Sequence, residues 1–173
     1  MQAPRRTRVI IDTDAKNEAD DQFAIVHALL TPSFELHGLI PAHFGSAKSA
    51  TSLQDSHDEV MLLLRLMGLE GKVRVADGAA AAIADASTAA PSRGAELIIA
   101  EALRDDPRPL HVAFLGPLTD MASAILIAPE IARRNLRVIW IGGGYWPVGN
   151  PEYNLSNDIA AANVVARSGI EIW

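Results

Sequence analysis

Val9-Ile10-Ile11-Asp12-Thr13-Asp14-Ala15-Lys16-Asn17-Glu18-Ala19-Asp20-Asp21-Gln22-Phe23-Ala24-Ile25 is the stretch from which the rest of the chain can be read. Its first part is apolar, β-branched and without polar alternation, the pattern of a strand buried on both faces. That run ends in Asp12-Thr13-Asp14. After a short polar link a helical pattern opens, expected from about Glu18 to Leu30. Phe23, Ile25, Val26, Leu29 and Leu30 form its apolar face, and Thr31-Pro32-Ser33 stops it.

Five carboxylates, Asp12, Asp14, Glu18, Asp20 and Asp21, fall within ten residues, with Lys16 as the one compensating charge. Gathering anions where a strand ends costs Coulomb energy unless a cation or hydrogen-bond donors offset it. Hard divalent cations take oxygen ligands, and calcium accepts several carboxylates together. Acidic residues at a helix N-terminus are also favourable without metal, because they cap free N–H groups and complement the dipole. Capping accounts for Asn17, Glu18, Asp20 and Asp21 but not for Asp12 and Asp14, which follow directly on the strand. The cluster is therefore a candidate metal-centred active site, in which Glu18 is expected only to cap the helix.

Outward from this stretch, strands and helices alternate. Strands are expected at Arg8–Asp12, Phe34–Ile40, Leu110–Leu115, Leu136–Ile141 and from Ile170, with a short one at Lys72–Ala76. Helices are expected near Ser52–Met67, Ala95–Leu103, after Gly116-Pro117-Leu118-Thr119-Asp120 to about Ile127, and at Asp158–Arg167, with Asp158 as a cap. Ala79–Ala90 is alanine-rich and reads as a weak helix or surface excursion with little to offer a core. Alternation with doubly buried strands means an α/β domain with a mostly parallel sheet. Ligands of such sheets bind just beyond the carboxyl ends of the strands, where the loops from Asp12, Pro41, Gly116 and Gly142 lie.

At 173 residues the chain suits one domain, taken as 1–173. A net charge of −6 and a pI near 5.3 argue against a sequence-independent nucleic-acid binder. The chain has no cysteine, which removes disulfides, thiolate metal sites and a cysteine nucleophile. No apolar run approaches membrane-spanning length and no signal-peptide core follows the basic first residues, so a cytoplasmic location is expected, with no membrane partner. His27, His37, His57 and His111 read as structural or solvent-facing, and His43 lies at a strand end on the ligand edge.

Read together, three motifs resemble the inosine–uridine-preferring nucleoside hydrolase family. That family opens with a strand and Asp-x-Asp-Pro-Gly-x-Asp-Asp. Asp12-Thr13-Asp14 and Asp20-Asp21 match its acidic positions, across a link two residues longer and without Pro-Gly. Leu115-Gly116-Pro117-Leu118-Thr119-Asp120 matches a Gly-Pro-Leu-Thr-Asn after a strand. Gly142-Gly143, then Glu152-Tyr153-Asn154 and Asp158, match Gly-Gly…Glu-Phe-Asn-x-x-x-Asp. The resemblance covers essentially the whole chain and implies a Rossmann-like open sheet with helices on both faces.

It also implies an activity: hydrolysis of the N-glycosidic bond of ribonucleosides to free base and ribose, a glycosidase reaction of purine and pyrimidine salvage. Such a bond breaks through an oxocarbenium-like sugar and needs an activated water and a held ribose. By the resemblance, Asp14, Asp21 and the backbone carbonyl of Leu115 hold Ca²⁺, which lowers the pKa of the attacking water. Asp14 is then also the general base. Asp20, Glu152 and Asn154 hydrogen-bond the ribonucleoside's ribose hydroxyls, Asn150 is a further sugar contact, and Asp12 supports the cluster. A homo-oligomer is compatible with this reading and not specified by it.

Typical members are nearly twice as long. Their second half supplies another calcium-binding Asp and, in some, a His that protonates the leaving base. The chain is therefore expected to be an N-terminal part or a shortened form of such a protein, with a metal shell one carboxylate short. The alternative is a catalytically inactive homologue that keeps a sugar- or metal-binding pocket. Asp12-x-Asp14 after a first strand also resembles haloacid dehalogenase-type phosphatases. Lys16 stands where that family has Thr, however, and its later Gly-Asp metal motif is absent.

Overall fold

The computed structural model describes residues 6–145 and 147–173. Its elements run β1 (Thr7–Thr13), α1 (Asp20–Leu30), β2 (Phe34–Pro41), α2 (Ser52–Leu66), α3 (Arg93–Leu103), β3 (Leu110–Phe114), α4 (Thr119–Ile127), a 3₁₀ turn (Pro129–Arg133), β4 (Leu136–Trp140), α5 (Tyr153–Asn157), α6 (Ile159–Arg167) and β5 (Glu171–Ile172). The five strands form one sheet in the order β2-β1-β3-β4-β5, and every neighbouring pair is parallel. The chain first winds from β1 outward to β2, then returns to add β3, β4 and β5 on the other side. The winding therefore reverses between β1 and β3, and in open α/β sheets a crevice opens at such a reversal beyond the carboxyl ends of the strands.

Successive side chains of a strand point to opposite faces, and β1 shows how that divides the core. Ile10 joins a cluster with Val112, Phe114 and Val138 under α3, α4 and α6. Val9 and Ile11 join a second cluster under α1 and α2, with Ile25, Ala28, Val60 and Leu64. The first face is fully roofed. The second is roofed over β2 and β1 but open over β4, where Ile139 and Ile141 are 36% and 55% exposed.

Several expectations change in detail. Helix α1 starts at Asp20, and its N-cap is Ala19, with no side-chain cap bond, so Glu18 does not cap it. The expected strand at Lys72–Ala76 is a single bridge between Val75 and Leu39, because only that residue's neighbours reach the β2 edge. Ala79–Ala90 is not a helix but the surface excursion that its composition allows, pinned at one inward side chain. Ile83 is 5% exposed in the main core, and its N–H donates to Asp158 at 2.9 Å. One apolar side chain and one buried acceptor suffice to fix a segment whose composition offers little else. Among the described residues no helix is long and apolar enough to cross a membrane.

Candidate active site

The ladder carries the acidic motif to the crevice. Asp12 lies opposite Ile40 of β2 and Phe114 of β3, and Leu115 N–H continues the pairing by donating to the Asp12 carbonyl at 2.9 Å. Asp14 and Asp21, only 3% and 5% exposed, thus stand beside the backbone of Leu115. Gly116 makes this approach possible. A Cβ there would lie 3.0 Å from Asp14 Cγ, a distance real Cβ atoms hardly reach. The 15–19 link is tied down: Asn17 N–H donates to the Asp14 carbonyl at 2.8 Å, and Gln22 Nε2 to the Ala15 carbonyl at 2.7 Å.

A cavity of about 110 Å³ opens at this point, lined by Asp14, Asn17, Glu18, Asp20, Asp21, Leu115, Ile141, Glu152, Tyr153 and Asn154. Of the residues expected to carry the chemistry, Asp14, Asp20, Asp21, Leu115, Glu152 and Asn154 are brought together here. Asp20 and Glu18 present exposed carboxylates. Glu152 caps α5, accepting from Asn154 and Leu155 N–H, each at 2.9 Å, and also from Gly143 N–H at 3.1 Å. Asn154 Nδ2 donates to the carbonyls of Leu115 at 2.8 Å and Ile141 at 2.9 Å.

Asn150 is not brought in. Its Oδ1 accepts from Tyr145 N–H at 2.9 Å and its Nδ2 donates to the Pro151 carbonyl, so its amide closes its own loop. Asn17 and the carbonyl edge at Ile141 are cavity features that sequence reading missed. Asn17, three residues past Asp14, has the sequence character of a helix-start residue, and its contact with Asp14 Oδ2 depends on the fold of the 15–19 link.

The electrostatics are those of anions held without a counter-charge among the described residues. Burial, then the neighbouring Asp21 charge, pushes the Asp14 carboxyl up to about 7. Burial pushes Asp21 up to about 6, partly offset by the bond it accepts from Thr13 Oγ1. Lys16 pairs with Glu59 at 2.9 Å, and Lys48 is held by Asn17 at the rim, so neither neutralises the pair. Asp12 lies deeper, fully buried, with no hydrogen-bond partner for either oxygen among the described residues. Burial, then the Asp120 and Asp14 charges, holds it well above its ordinary value, which favours the neutral acid. Asp120 accepts from Ala79 N–H at 3.1 Å and from Ser92 Oγ, and burial raises it to about 6. It fits only because residue 78 is glycine, since a Cβ there would lie 2.3 Å from Asp120 Oδ2.

Behind the cavity runs a buried relay that joins three motifs. Thr119 Oγ1 donates to Asp158 Oδ2 at 2.8 Å, which leaves it to accept His43 Nε2–H at 2.9 Å. His43 Nδ1 then accepts from Gly45 N–H at 3.3 Å, consistent with a neutral ring whose burial lowers its pKa. Asp158 also caps α6 through Ala161 N–H at 2.8 Å, the role expected of it. Tyr153 Oη donates to the Phe44 carbonyl at 2.8 Å, tying the β2 loop to α5.

Two buried, mutually repelling carboxylates and a nearby carbonyl form a donor set for a hard cation. Among the described residues no three acidic or imidazole side chains converge to complete it. Calcium takes about six to eight oxygens, so the residues present fit part of such a shell, the remainder being open to water and substrate oxygens.

A sequence profile described as inosine-uridine preferring nucleoside hydrolase matches residues 9–173. The chain belongs to that family. It is similar to uridine nucleosidase 1 of Arabidopsis thaliana, 31% identical over 97% of this chain and 55% of that protein. It is also similar to the non-specific ribonucleoside hydrolase RihC of Salmonella enteritidis, 29% identical over 95% of this chain and 58% of that protein. The chain thus spans little more than half the length of the curated relatives it matches. Among solved structures, a plant nucleoside hydrolase superposes with a TM-score of 0.77 at 24% identity, covering 98% of this chain and 59% of that one. A purine-preferring ribonucleoside hydrolase from Gardnerella vaginalis does so with a TM-score of 0.74 at 22% identity, over 96% and 59%. These two likenesses establish the fold, the α/β parallel sheet of nucleoside hydrolases.

Proposed function

We propose that this site hydrolyses the N-glycosidic bond of ribonucleosides, giving free base and ribose. The observation that carries the reading is the convergence of Asp14, Asp20, Asp21, the Leu115 backbone, Glu152 and Asn154 on one cavity at the reversal of the sheet. Asp14, Asp21 and the Leu115 carbonyl would hold Ca²⁺, which when bound supplies Lewis-acid activation of water and a seat for the ribose diol. Asp14 takes the proton from the attacking water, a role suited to a carboxyl lifted to about 7. Asp20 binds a ribose hydroxyl with its exposed carboxylate. Glu152 and Asn154, fixed by their backbone contacts, present their remaining acceptor sites to the other hydroxyls. Asp12 acts from beneath, keeping the Asp14 turn in place.

The relatives named uridine nucleosidase and ribonucleoside hydrolase support this substrate class, and a cytoplasmic role in nucleoside salvage fits it. The test is ribose release from uridine and inosine with calcium present, by the 173-residue chain and by its Asp14→Asn variant. Release that falls by about 100-fold or more in the variant bears the proposal out. Ribose release unchanged by D14N removes Asp14 from the mechanism.

A second reading has its own observation. The incomplete acidic shell favours a homologue that binds calcium or sugar without turnover. Calorimetry that detects calcium or ribose binding where no ribose is released selects it.

A further inference from the structure

The amino ends of β1, β3 and β4 meet the carboxyl end of α3 and the 3₁₀ turn at the edge of the sheet opposite the carboxylate cavity. A hollow of about 180 Å³ lies there, and its charged lining is Arg8, Arg104, Asp106, Arg108, Arg133 and Arg134. Five guanidinium groups face one carboxylate. That is an unusual local balance in a chain whose net charge is −6.

Three carboxylates of the neighbourhood are already engaged, and Asp105 and Glu130 form no ion pair with the arginines of the hollow among the described residues. Asp106 is gripped by Arg108 through Nη2 at 2.6 Å and Nε at 3.0 Å. Glu101 is bound by Arg8 at 2.8 Å and by Arg104 at 3.3 Å, and Glu35 by Arg108 at 2.6 Å. Arg134 spends Nε and Nη2 on the carbonyls of Ala102, Leu103 and Arg104 at 3.1–3.2 Å, which caps α3 but leaves its charge without an anion. Arg133 is exposed and makes no hydrogen bond or ion pair among the described residues. The residues outside that description carry no acidic side chain, so none of them can neutralise it. At the floor, Arg8 is 2% exposed and its Nε–H has no acceptor, Asp106 standing 3.7 Å off.

The geometry points to a binding site for a phosphoryl group, carried by a small phosphorylated metabolite or by free phosphate. Guanidinium forks match the oxygens of phosphate and hold it through charge-assisted bonds. Arg133 and Arg134 supply two uncompensated positive charges, the complement of a phosphate dianion. A half-open hollow of about 180 Å³ has room for one or two phosphoryl groups. Strand β1 links the two edges, with Arg8 at one end and Asp12 at the other, so the anion would sit remote from the ribonucleoside pocket.

Calorimetry in low-chloride buffer tests this on the whole chain, titrated separately with inorganic phosphate, pyrophosphate, glycerol 3-phosphate and a short single-stranded oligonucleotide. One-to-one saturable binding is expected for at least one of the first three. Glycerol 3-phosphate as the tightest of them identifies a phosphomonoester site, and phosphate or pyrophosphate as the tightest an inorganic one. Arg133→Glu should weaken that binding at least 10-fold, while Arg65→Glu, an equal charge change on exposed α2, should alter it less than twofold. Arg133 is exposed and unbonded, so its variant keeps the fold, which circular dichroism verifies. Absence of saturable binding, equal losses in R133E and R65E, or tightest binding of the oligonucleotide overturns the proposal.

Discussion

The two edges of the sheet hold similar acidic groups and treat them in opposite ways. At the carboxyl edge Asp12, Asp14, Asp21 and Asp120 are buried next to one another, and all four titrate above their ordinary range. At the amino edge the Arg108 bonds lower Glu35 and Asp106. Burial raises Glu101, but Arg8, His37 and Arg104 together pull it below its usual value. Burial and partnership together separate the two edges: the raised carboxyls are buried without cationic partners, and the lowered ones are more exposed and held by arginines. At the amino edge these carboxylates have arginine partners, whereas at the other edge nothing among the described residues supplies the positive charge that the buried pair calls for.

The largest test breaks the satisfied edge. Arg8→Met takes from Glu101 its buried partner, leaving it the weaker contacts to Arg104 and His37, and should cost about 3 kcal/mol in a urea titration at pH 7. Its effect should shrink toward acid pH. The folded value of Glu101 is depressed, so the stability it lends is present above its unfolded value and lost as pH falls.

Asp14→Asn should show the opposite sign. Asp14 and Asp21 hold their protons more tightly folded than unfolded, so their contribution is complete below about pH 4 and lost as pH rises through about 6 and about 7. The metal-free D14N variant should therefore be more stable than its parent at pH 8, by about 3 kcal/mol, and indistinguishable at pH 4. Melting curves at both pH values check this, and an advantage that survives at pH 4 contradicts the assignment. Excess calcium should narrow or invert the gap at pH 8, since the parent keeps a ligand that the variant lacks.

Gly116→Ala sharpens the contrast from the backbone side. The added methyl meets Asp14 Cγ at 3.0 Å, which should cost about 1–3 kcal/mol and weaken calcium binding in calorimetry. Glu18→Gln is the smallest. Glu18 caps nothing and is exposed, so thermal stability should move by no more than about 0.5 kcal/mol. A larger loss would restore the capping role.

The fold was legible because each strand carries its own local signature. The β-branched run Val9–Ile11 is buried on both faces, as its pattern announces, while β3 and β4 alternate, burying Leu110, Val112 and Phe114, and Leu136 and Val138, on one face. The acidic motif was legible for a similar reason, since its residues are neighbours in sequence. What escaped is whatever depends on distant partners. Asp120 is buried because Ser92, Ala79 and the bare Cα of Gly78 receive it, and no local pattern announces that. Ile83 looks marooned in an alanine tract until Asp158 takes its N–H. Asn150 stands near Glu152 in sequence, yet a bond to Tyr145 turns it into its own loop. The arginine hollow is assembled from three separate segments, each of which reads as ordinary surface charge.

Strand β1 has a consequence for the order of events in folding. Its pairing with β2 is local, Thr7 opposite Phe34, whereas its pairing with β3 sets Arg8 opposite Leu110, about 100 residues away. Closing a span of that length is slow relative to local pairing. The β1–α1–β2 unit can form while Asp12 is still in water, and only the arrival of β3 and α4 brings Asp120 against it. The repulsion between Asp12 and Asp120 is thus deferred to that long-range step. The same step seats Arg8 against Glu101 and Asp106 at the far end of the strand, so each docking of β3 pulls at one end and resists at the other.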